Sequence, residues 1–203
     1  MIKLFGSPHS SAHRCYWVLE ELNIPYERQP LDMRQREHKA EAYLKLNPNG
    51  KIPCIIDGNF VLWESVAINH YLALKNGPQL LGKTIEEQAL VQQWILWSQG
   101  ELQLPLVSIL IQVMFMPEDK KNPSIVEDAK KKLQPLNAIL NTQLQDKNYV
   151  VGDTFTLADL TLASVVRINE MTNISLADYP NIQKWYQAVT KRTAYQKVEA
   201  LPR

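Results

Sequence analysis

The pattern of apolar and polar residues changes character near residue 80. Before that point, residues 2–5 alternate as a β-strand does, and apolar side chains recur over residues 15–22 at the spacing of an amphipathic helix. The pattern then predicts a second strand over residues 26–31 and a short helix over residues 36–46, which ends at turn-forming residues 47–50. This part of the chain is therefore predicted to run β-α-β-α.

Residues 54–62 predict a β-hairpin, because two apolar runs flank Asp57, Gly58 and Asn59, residue types that accept a positive φ in a tight turn. Residues 66–75 then carry apolar side chains at helical spacing. The first part of the chain is thus predicted to have the order βαβαββα.

Strands disappear from the pattern after a segment that holds two glycines and a proline. We therefore divide the chain into a first domain over residues 1–76, a linker over residues 77–84 and an all-helical domain over residues 85–203. The predicted fold is α/β followed by all-α.

The helical part carries recognisable start and break signals. Thr84 and Ser124 each precede a glutamate by three residues, which predicts a capping box at the start of a long helix. Pro105 is expected to kink or interrupt the first of these helices, and Pro135 to bend the second. Pro180 suits the first turn of a further helix.

Composition argues against several classes of function but does not identify one. The 203 residues include 22 Lys and Arg against 21 Asp and Glu, so no overall charge attracts the chain to nucleic acid or an anionic membrane. No apolar run is long enough to span a bilayer. Cys15 and Cys54 occur in different predicted elements without metal-ligand spacing, so we expect no metal site, no disulfide framework and a cytoplasmic location.

Two short segments at the ends of the hairpin are candidates for binding a small peptide. Ile52 precedes Pro53, which excludes helix there, allows a cis bond and could leave backbone groups facing a guest backbone. Glu64 and Ser65 open the next helix, where a hydroxyl and backbone N–H groups would receive a carboxylate.

Taken in order, four stretches resemble the cytosolic glutathione transferases of the serine-type classes, phi, theta and their bacterial relatives. They are residues 6–14, 37–53, 63–65 and 156–159. The resemblance covers essentially the whole chain. It implies a thioredoxin-like N-terminal domain, an all-helical C-terminal domain and glutathione as the co-substrate.

In that resemblance, Ser10 occupies the position of the serine that binds the glutathione sulfur, four residues before Arg14, which supports the site. Ser11 is a second candidate hydroxyl, and either serine could instead serve as a helix cap. The resemblance places the rest of the tripeptide against His38, Lys39, Lys51, Ile52, Pro53, Glu64 and Ser65.

The implied reaction is the addition of glutathione to a small hydrophobic electrophile, with reduction of organic hydroperoxides as a second activity. We expect the electrophile between the domains, against Pro8, His9, Trp97 and Met114, whereas Trp94 lies on the apolar stripe of its helix and is expected to pack in the core. The family resemblance also implies a homodimer. The alternative is a non-catalytic interaction module with the same fold.

Overall fold

The computed structural model describes residues 1–202, which form two compact units. The first unit contains residues 1–81 and the chain from Lys191 onward, and the second contains residues 82–190. These units differ from the predicted domains over residues 1–76 and 85–203 at the C-terminal end, where the last described residues group with the first unit.

A four-stranded sheet forms the centre of the first unit, with β1 at Ile2–Phe5, β2 at Tyr26–Gln29, β3 at Cys54–Asp57 and β4 at Phe60–Trp63. The strand order is β2-β1-β3-β4, in which β1 is parallel to β2 and antiparallel to β3. The predicted strands and the hairpin are confirmed, because their alternating residues pair in register.

Helices α1 at His13–Glu21 and α3 at Ser65–Asn76 confirm the two predicted amphipathic helices of this unit. The single helix predicted over residues 36–46 is wrong: the chain forms a 3₁₀ turn at Glu37–Lys39 and then α2 at Glu41–Leu44. Ala40 has an extended backbone, with φ −67° and ψ 146°, and this separates the two short elements.

The second unit is helical throughout its regular structure. Helix α4 at Ile85–Trp97 is followed by a π-helical turn at Ser98–Leu102 that leads into α5 at Gln103–Leu110, so the interruption expected at Pro105 lies just before that proline. None of the helices in residues 1–202 is long and apolar enough to cross a membrane. The helices are α4 at Ile85–Trp97, α5 at Gln103–Leu110, α6 at Pro123–Gln143, α7 at Leu157–Thr172 and α8 at Pro180–Thr190.

The start of α6 corrects one predicted cap. Asn122, and not Ser124, is the N-cap, because its Oδ1 accepts a hydrogen bond of 3.0 Å from the Ser124 N–H. Pro123 occupies the first turn, which places Ser124 inside the helix. At α4 one half of the expected capping box is present, since Thr84 Oγ1 accepts from the Glu87 N–H at 3.2 Å, while the Glu87 carboxylate accepts from the Lys83 N–H at 2.6 Å.

Helix α9 at Thr193–Glu199 packs against α1 within the first unit. The Tyr195 ring lies 4.8 Å from the Trp17 ring, centroid to centroid, and His13 Nε2 lies 2.8 Å from Glu199 Oε1. These contacts bury one face of a short helix against α1 and explain why the C-terminal segment groups with the sheet.

Candidate functional site

The loop after β1 approaches Ile52 closely. Gly6 has φ +130°, and a Cβ there would lie 3.0 Å from the Ala12 Cβ and 3.2 Å from the Ile52 Cβ. The Tyr16 hydroxyl donates a 2.8 Å hydrogen bond to the Gly6 carbonyl. Glycine is therefore required for both conformation and space, and the start of α1 is held beside the 51–53 segment.

Two serine hydroxyls lie at the start of α1. Ser10 Oγ donates to the Ser7 carbonyl at 2.7 Å and accepts from the Ala12 N–H at 3.1 Å, so it caps the turn that leads into the helix. Ser11 is exposed, and its Oγ donates to the Ile52 carbonyl at 3.1 Å. The Ser11 hydroxyl thus contacts Ile52, whereas the hydrogen bonds of the Ser10 hydroxyl stay within the loop that leads into α1.

Arg14 is buried, with 5% of its surface exposed. Burial lowers the pKa of its guanidinium, and the neighbouring Cys15 opposes that shift. Cys15 in turn donates a long bond of 3.6 Å from Sγ to the Ser65 carbonyl. This position fits the supporting role that the resemblance implies for Arg14 better than a direct contact with a ligand.

The 51–53 segment is held from one side. The Tyr43 hydroxyl and Asn47 Nδ2 each donate a 2.7 Å hydrogen bond to the Lys51 carbonyl oxygen. The Ile52–Pro53 peptide bond is cis, as the sequence allowed.

Basic side chains cluster around the turn that precedes this segment. Lys39 Nζ donates to the Asn49 carbonyl at 3.1 Å, Lys51 is exposed and His38 is half-buried. Gly50 has φ +54°, and a Cβ there would lie 2.8 Å from the His38 carbonyl oxygen. The absence of a side chain at Gly50 therefore lets the 38–39 segment lie against the turn.

Glu64 and Ser65 form the start of α3. Glu64 has φ +73° and ψ 113°, a conformation that is strained for a residue other than glycine, and strain of this kind concentrates at functional sites. Its side chain is exposed, while Ser65 is buried as the first residue of the helix. An exposed carboxylate thus stands next to the N-terminal N–H groups of a helix.

The four residues predicted to contact the electrophile belong to different units. Pro8 is buried and His9 half-buried in the first unit. In the second unit, the half-buried Trp97 lies 5.2 Å from the buried Trp94, centroid to centroid, which confirms the core position expected for Trp94. Met114 is 51% exposed.

A cavity of about 270 Å³ in the second unit adjoins the exposed apolar run at the end of α5. It is lined by Gln112, Val113, Lys121, Asn122, Pro123, Val126 and Glu127. Val113, which lines this cavity, directly precedes Met114, one of the predicted electrophile-binding residues.

Sequence reasoning missed Tyr43 and Asn47 as parts of the site. Asn47 was recognised only as a turn residue, and nothing in the helical pattern indicates that the Tyr43 hydroxyl reaches the backbone eight residues later. The only signal was that Asn47 is a polar residue in a cluster of turn residues. This does not indicate that its side chain binds the Lys51 carbonyl.

The described residues indicate neither a metal site nor a reactive cysteine of the chain itself. Among residues 1–202, no group of three or more His, Cys, Asp and Glu side chains could hold a metal ion. Cys15 and Cys54 are both buried and form no disulfide. Burial raises the pKa of the Cys54 thiol to about 11 and raises that of Cys15 further, so neither is a reactive thiolate near neutral pH.

Comparison with known proteins agrees with this geometry. The family model "Glutathione S-transferase, N-terminal domain" matches residues 1–74, and "Glutathione S-transferase, C-terminal domain" matches residues 103–193. The solved structure of "glutathione S-transferase-I bound with the ligand lactoylglutathione" superimposes with a TM-score of 0.91 and 33% identity, over 99% of each chain.

Individual relatives are similar over nearly their full length. "Probable glutathione S-transferase GSTF2" of Oryza sativa subsp. japonica is 35% identical, over 98% of this chain and 96% of the relative. "Glutathione S-transferase 1" of Zea mays is 34% identical over the same shares, and "Glutathione S-transferase GstB" of Escherichia coli (strain K12) is 31% identical over 100% and 99%. This chain belongs to the glutathione S-transferase family.

Proposed function

We propose that this chain conjugates the thiolate of glutathione to small hydrophobic electrophiles. The observation that carries the proposal is the 3.1 Å hydrogen bond from the Ser11 hydroxyl, next to Ser10 before α1, to the Ile52 carbonyl. In conjugation to an aryl halide, a new S–C bond forms, the halide leaves, and the thiol proton passes to solvent. The relatives reported above are all named transferases, which gives no support to a non-catalytic module.

The serines would lower the pKa of the glutathione thiol. A free thiol has a pKa of about 8.5, so only a few per cent is thiolate at neutral pH. A charge-assisted hydrogen bond is worth about 1.5–3 kcal/mol, which corresponds to a shift of about one to two pKa units. Ser10 or Ser11 would donate that bond, and the N-terminus of α1 would add to the favourable potential.

The remaining contacts would orient the tripeptide. Basic residues around the 49–51 turn would bind the glycine carboxylate, and the Ile52 backbone would pair with the cysteine backbone. Glu64 and Ser65 would hold the γ-glutamyl end, with a carboxylate for its ammonium group and a hydroxyl for its carboxylate. The basic residues in this assignment are His38, Lys39 and Lys51.

For the electrophile, we propose contacts with Pro8 and His9 in the first unit and with Trp97 and Met114 in the second. Reduction of an organic hydroperoxide would use the same thiolate. It would attack the terminal peroxide oxygen and break the O–O bond, so that the alkoxide takes a proton from solvent and leaves as an alcohol while glutathione becomes a sulfenic acid. The thiol of a second glutathione would then displace the sulfenic hydroxyl as water and form glutathione disulfide.

The test is turnover of glutathione with 1-chloro-2,4-dinitrobenzene in Ser10→Ala, Ser11→Ala and the double variant. Ser175→Ala is a matched control, because Ser175 Oγ accepts from the Ala177 N–H at 3.1 Å just as Ser10 Oγ accepts from Ala12. If Ser10 or Ser11 donates to the thiolate, replacing that serine by alanine should lower kcat and raise the pKa of the bound glutathione thiol. The ultraviolet absorbance of the thiolate, measured against pH, gives this pKa. An unshifted thiol pKa in the wild-type complex would refute the mechanism.

We also propose a cytoplasmic homodimer. Several apolar side chains are exposed in both units, among them Phe60 at 46%, Leu74 at 59%, Leu96 at 68% and Leu104 at 61%, and a second copy would remove them from water. Two buried cysteines without a disulfide fit a reducing compartment. Light scattering should give twice the chain mass of 23.4 kDa, and Leu104→Glu should shift it toward the monomer.

A further inference from the structure

Two side chains converge on one backbone oxygen next to the proposed glutathione site. The Tyr43 hydroxyl and Asn47 Nδ2 both donate to the Lys51 carbonyl, each at 2.7 Å. A carbonyl oxygen has two lone pairs, so these two donors satisfy it fully. The direction of the Lys51 C=O bond is thereby fixed from two sides.

That direction also sets the direction of a neighbouring donor. The Lys51 carbonyl and the Ile52 N–H belong to the same peptide unit, which is planar and, in this chain, trans. In a trans peptide the C=O and N–H bonds point in opposite directions. Holding the carbonyl therefore turns the Ile52 N–H away from Tyr43 and Asn47.

The side chains of Tyr43 and Asn47 are themselves held in place by their neighbours. Tyr43 is buried, and its ring lies 5.8 Å from the Phe5 ring, centroid to centroid. Asn47 is 2% exposed, and its Oδ1 accepts a 3.1 Å bond from the Asn49 N–H. The Gly50 N–H donates to the Asn47 carbonyl at 2.8 Å. The two donors are thus preorganised before any ligand binds.

The Ile52 backbone is left ready for a guest. The hydrogen bonds described for residues 1–202 include none donated by the Ile52 N–H, while the Ile52 carbonyl accepts only the exposed Ser11 hydroxyl. An outward N–H with a fixed direction is what a peptide carbonyl requires from a partner strand.

We propose that Tyr43 and Asn47 are positioning residues for glutathione: by holding the Lys51 carbonyl they orient the Ile52 N–H toward the backbone carbonyl of the bound tripeptide. This inference rests on the proposed function, because it names the groups that prepare one contact of that site. In this proposal both side chains act through the Lys51–Ile52 peptide unit and not by contact with the tripeptide.

Tyr43→Phe removes one hydroxyl and keeps the ring, and Tyr71→Phe is its matched control. Tyr71 lies in the same unit and also donates one 2.7 Å bond, to Asp57 Oδ2 in the hairpin. Losing one such bond corresponds to about a threefold to tenfold change in an equilibrium constant. We expect Tyr43→Phe to raise the KM and Kd for glutathione by that factor, and Tyr71→Phe to leave both unchanged.

Asn47→Asp separates the positioning role from a role in the turn. The carboxylate still accepts from the Asn49 N–H, but it has no donor for the Lys51 carbonyl. If Asn47 served only the turn, Asn47→Asp would bind glutathione as the wild type does. We expect instead a rise in the KM for glutathione of about tenfold, with the KM for 1-chloro-2,4-dinitrobenzene and the kcat at saturating glutathione nearly unchanged.

Melting temperatures show whether each variant is folded, and Asn47→Asp decides the matter should Tyr43→Phe fail to fold. Wild-type glutathione binding with an unchanged KM in the folded variants would overturn this inference alone. Failure of the wild type to bind glutathione, measured by titration calorimetry, would overturn the proposed function and this inference together.

Discussion

Arg192 Nε lies 3.1 Å from both carboxylate oxygens of Glu21, a residue 171 positions earlier in the chain, and Arg192 Nη2 bonds the same group. The carboxylate is largely buried, with 12% of the Glu21 side chain exposed, against 33% for Arg192. This ion pair fastens the segment that leads into α9 to the last turn of α1. Helix α1, which directly follows the candidate thiolate donors Ser10 and Ser11, is thus held near both of its ends, at His13 by Glu199 and at Glu21 by Arg192.

Removal of this ion pair should destabilise the first unit. Arg192→Ala leaves the Glu21 carboxylate buried without its bidentate partner, and we expect a loss of about 1–3 kcal/mol in the free energy of unfolding. Lys197→Ala is the control, because the Lys197–Glu20 pair is 3.3 Å long with 54% of the lysine side chain exposed, so its loss should cost under about 1 kcal/mol. Urea denaturation measures both, and equal losses would contradict this difference.

The sheet could be predicted from sequence because alternation and turn chemistry are local. The residues of β1 match the prediction fully, and the hairpin turn at Asp57 and Gly58 needed no knowledge of the rest of the molecule. The partner of α9 could not be predicted. An amphipathic helix shows which face is apolar, but the contact of Tyr195 with Trp17 joins positions far apart in sequence.

The start of α6 shows how a local signal can choose the wrong residue. Ser124 and Glu127 have the spacing of a capping box, but Asn122 lies before a proline that suits the first helical turn. We expect Asn122→Ala to cost about 0.5–2 kcal/mol, whereas Ser124→Ala should change stability by less than about 0.5 kcal/mol. Chemical denaturation distinguishes the two, and a larger loss for Ser124→Ala would restore the serine as the cap.

The family pattern predicted which residues belong to the candidate site. It could not predict their hydrogen-bond partners, because those depend on tertiary contacts. Ser10 and Ser11 remained alternatives in sequence, and the structure adds that only Ser11 contacts the Ile52 carbonyl. The Lys51 carbonyl is held by a side chain eight residues earlier, a contact that depends on how α2 is placed against the turn.

Glycine at position 50 should matter more than at position 58. Both residues have positive φ, +54° and +61°, so alanine costs about 1–2 kcal/mol of backbone strain at either position. At Gly58 an added Cβ meets nothing within 4 Å, but at Gly50 it would lie 2.8 Å from the His38 carbonyl oxygen. We therefore expect Gly50→Ala alone to displace the 38–39 segment and raise the KM for glutathione several-fold. Steady-state kinetics on Gly50→Ala and Gly58→Ala tests this. Equal KM values for glutathione in the two variants would show that the 38–39 segment does not contribute to glutathione binding.

Asp159 should give the second unit an unusual pH dependence. Burial raises the pKa of its carboxyl to about 6, although hydrogen bonds from Val150, Trp185 and Thr156 oppose the shift. The unfolded chain releases this proton near pH 4, so the folded state binds more protons between about pH 4 and 6. The free energy of unfolding should therefore decrease as pH rises through that window, by about 1 kcal/mol between pH 5 and 7.

The measurement is the difference in unfolding free energy between the wild type and Asp159→Asn at pH 5, 6 and 7. The asparagine does not titrate, so the wild type's advantage over it should be about 1 kcal/mol larger at pH 5 than at pH 7. Asp153→Asn is the control, because Asp153 is exposed and its ion pair with Lys83 lowers its pKa, which places its titration below this range. A constant wild-type advantage would mean that the donors around Asp159 outweigh its burial and keep the carboxylate ionised throughout.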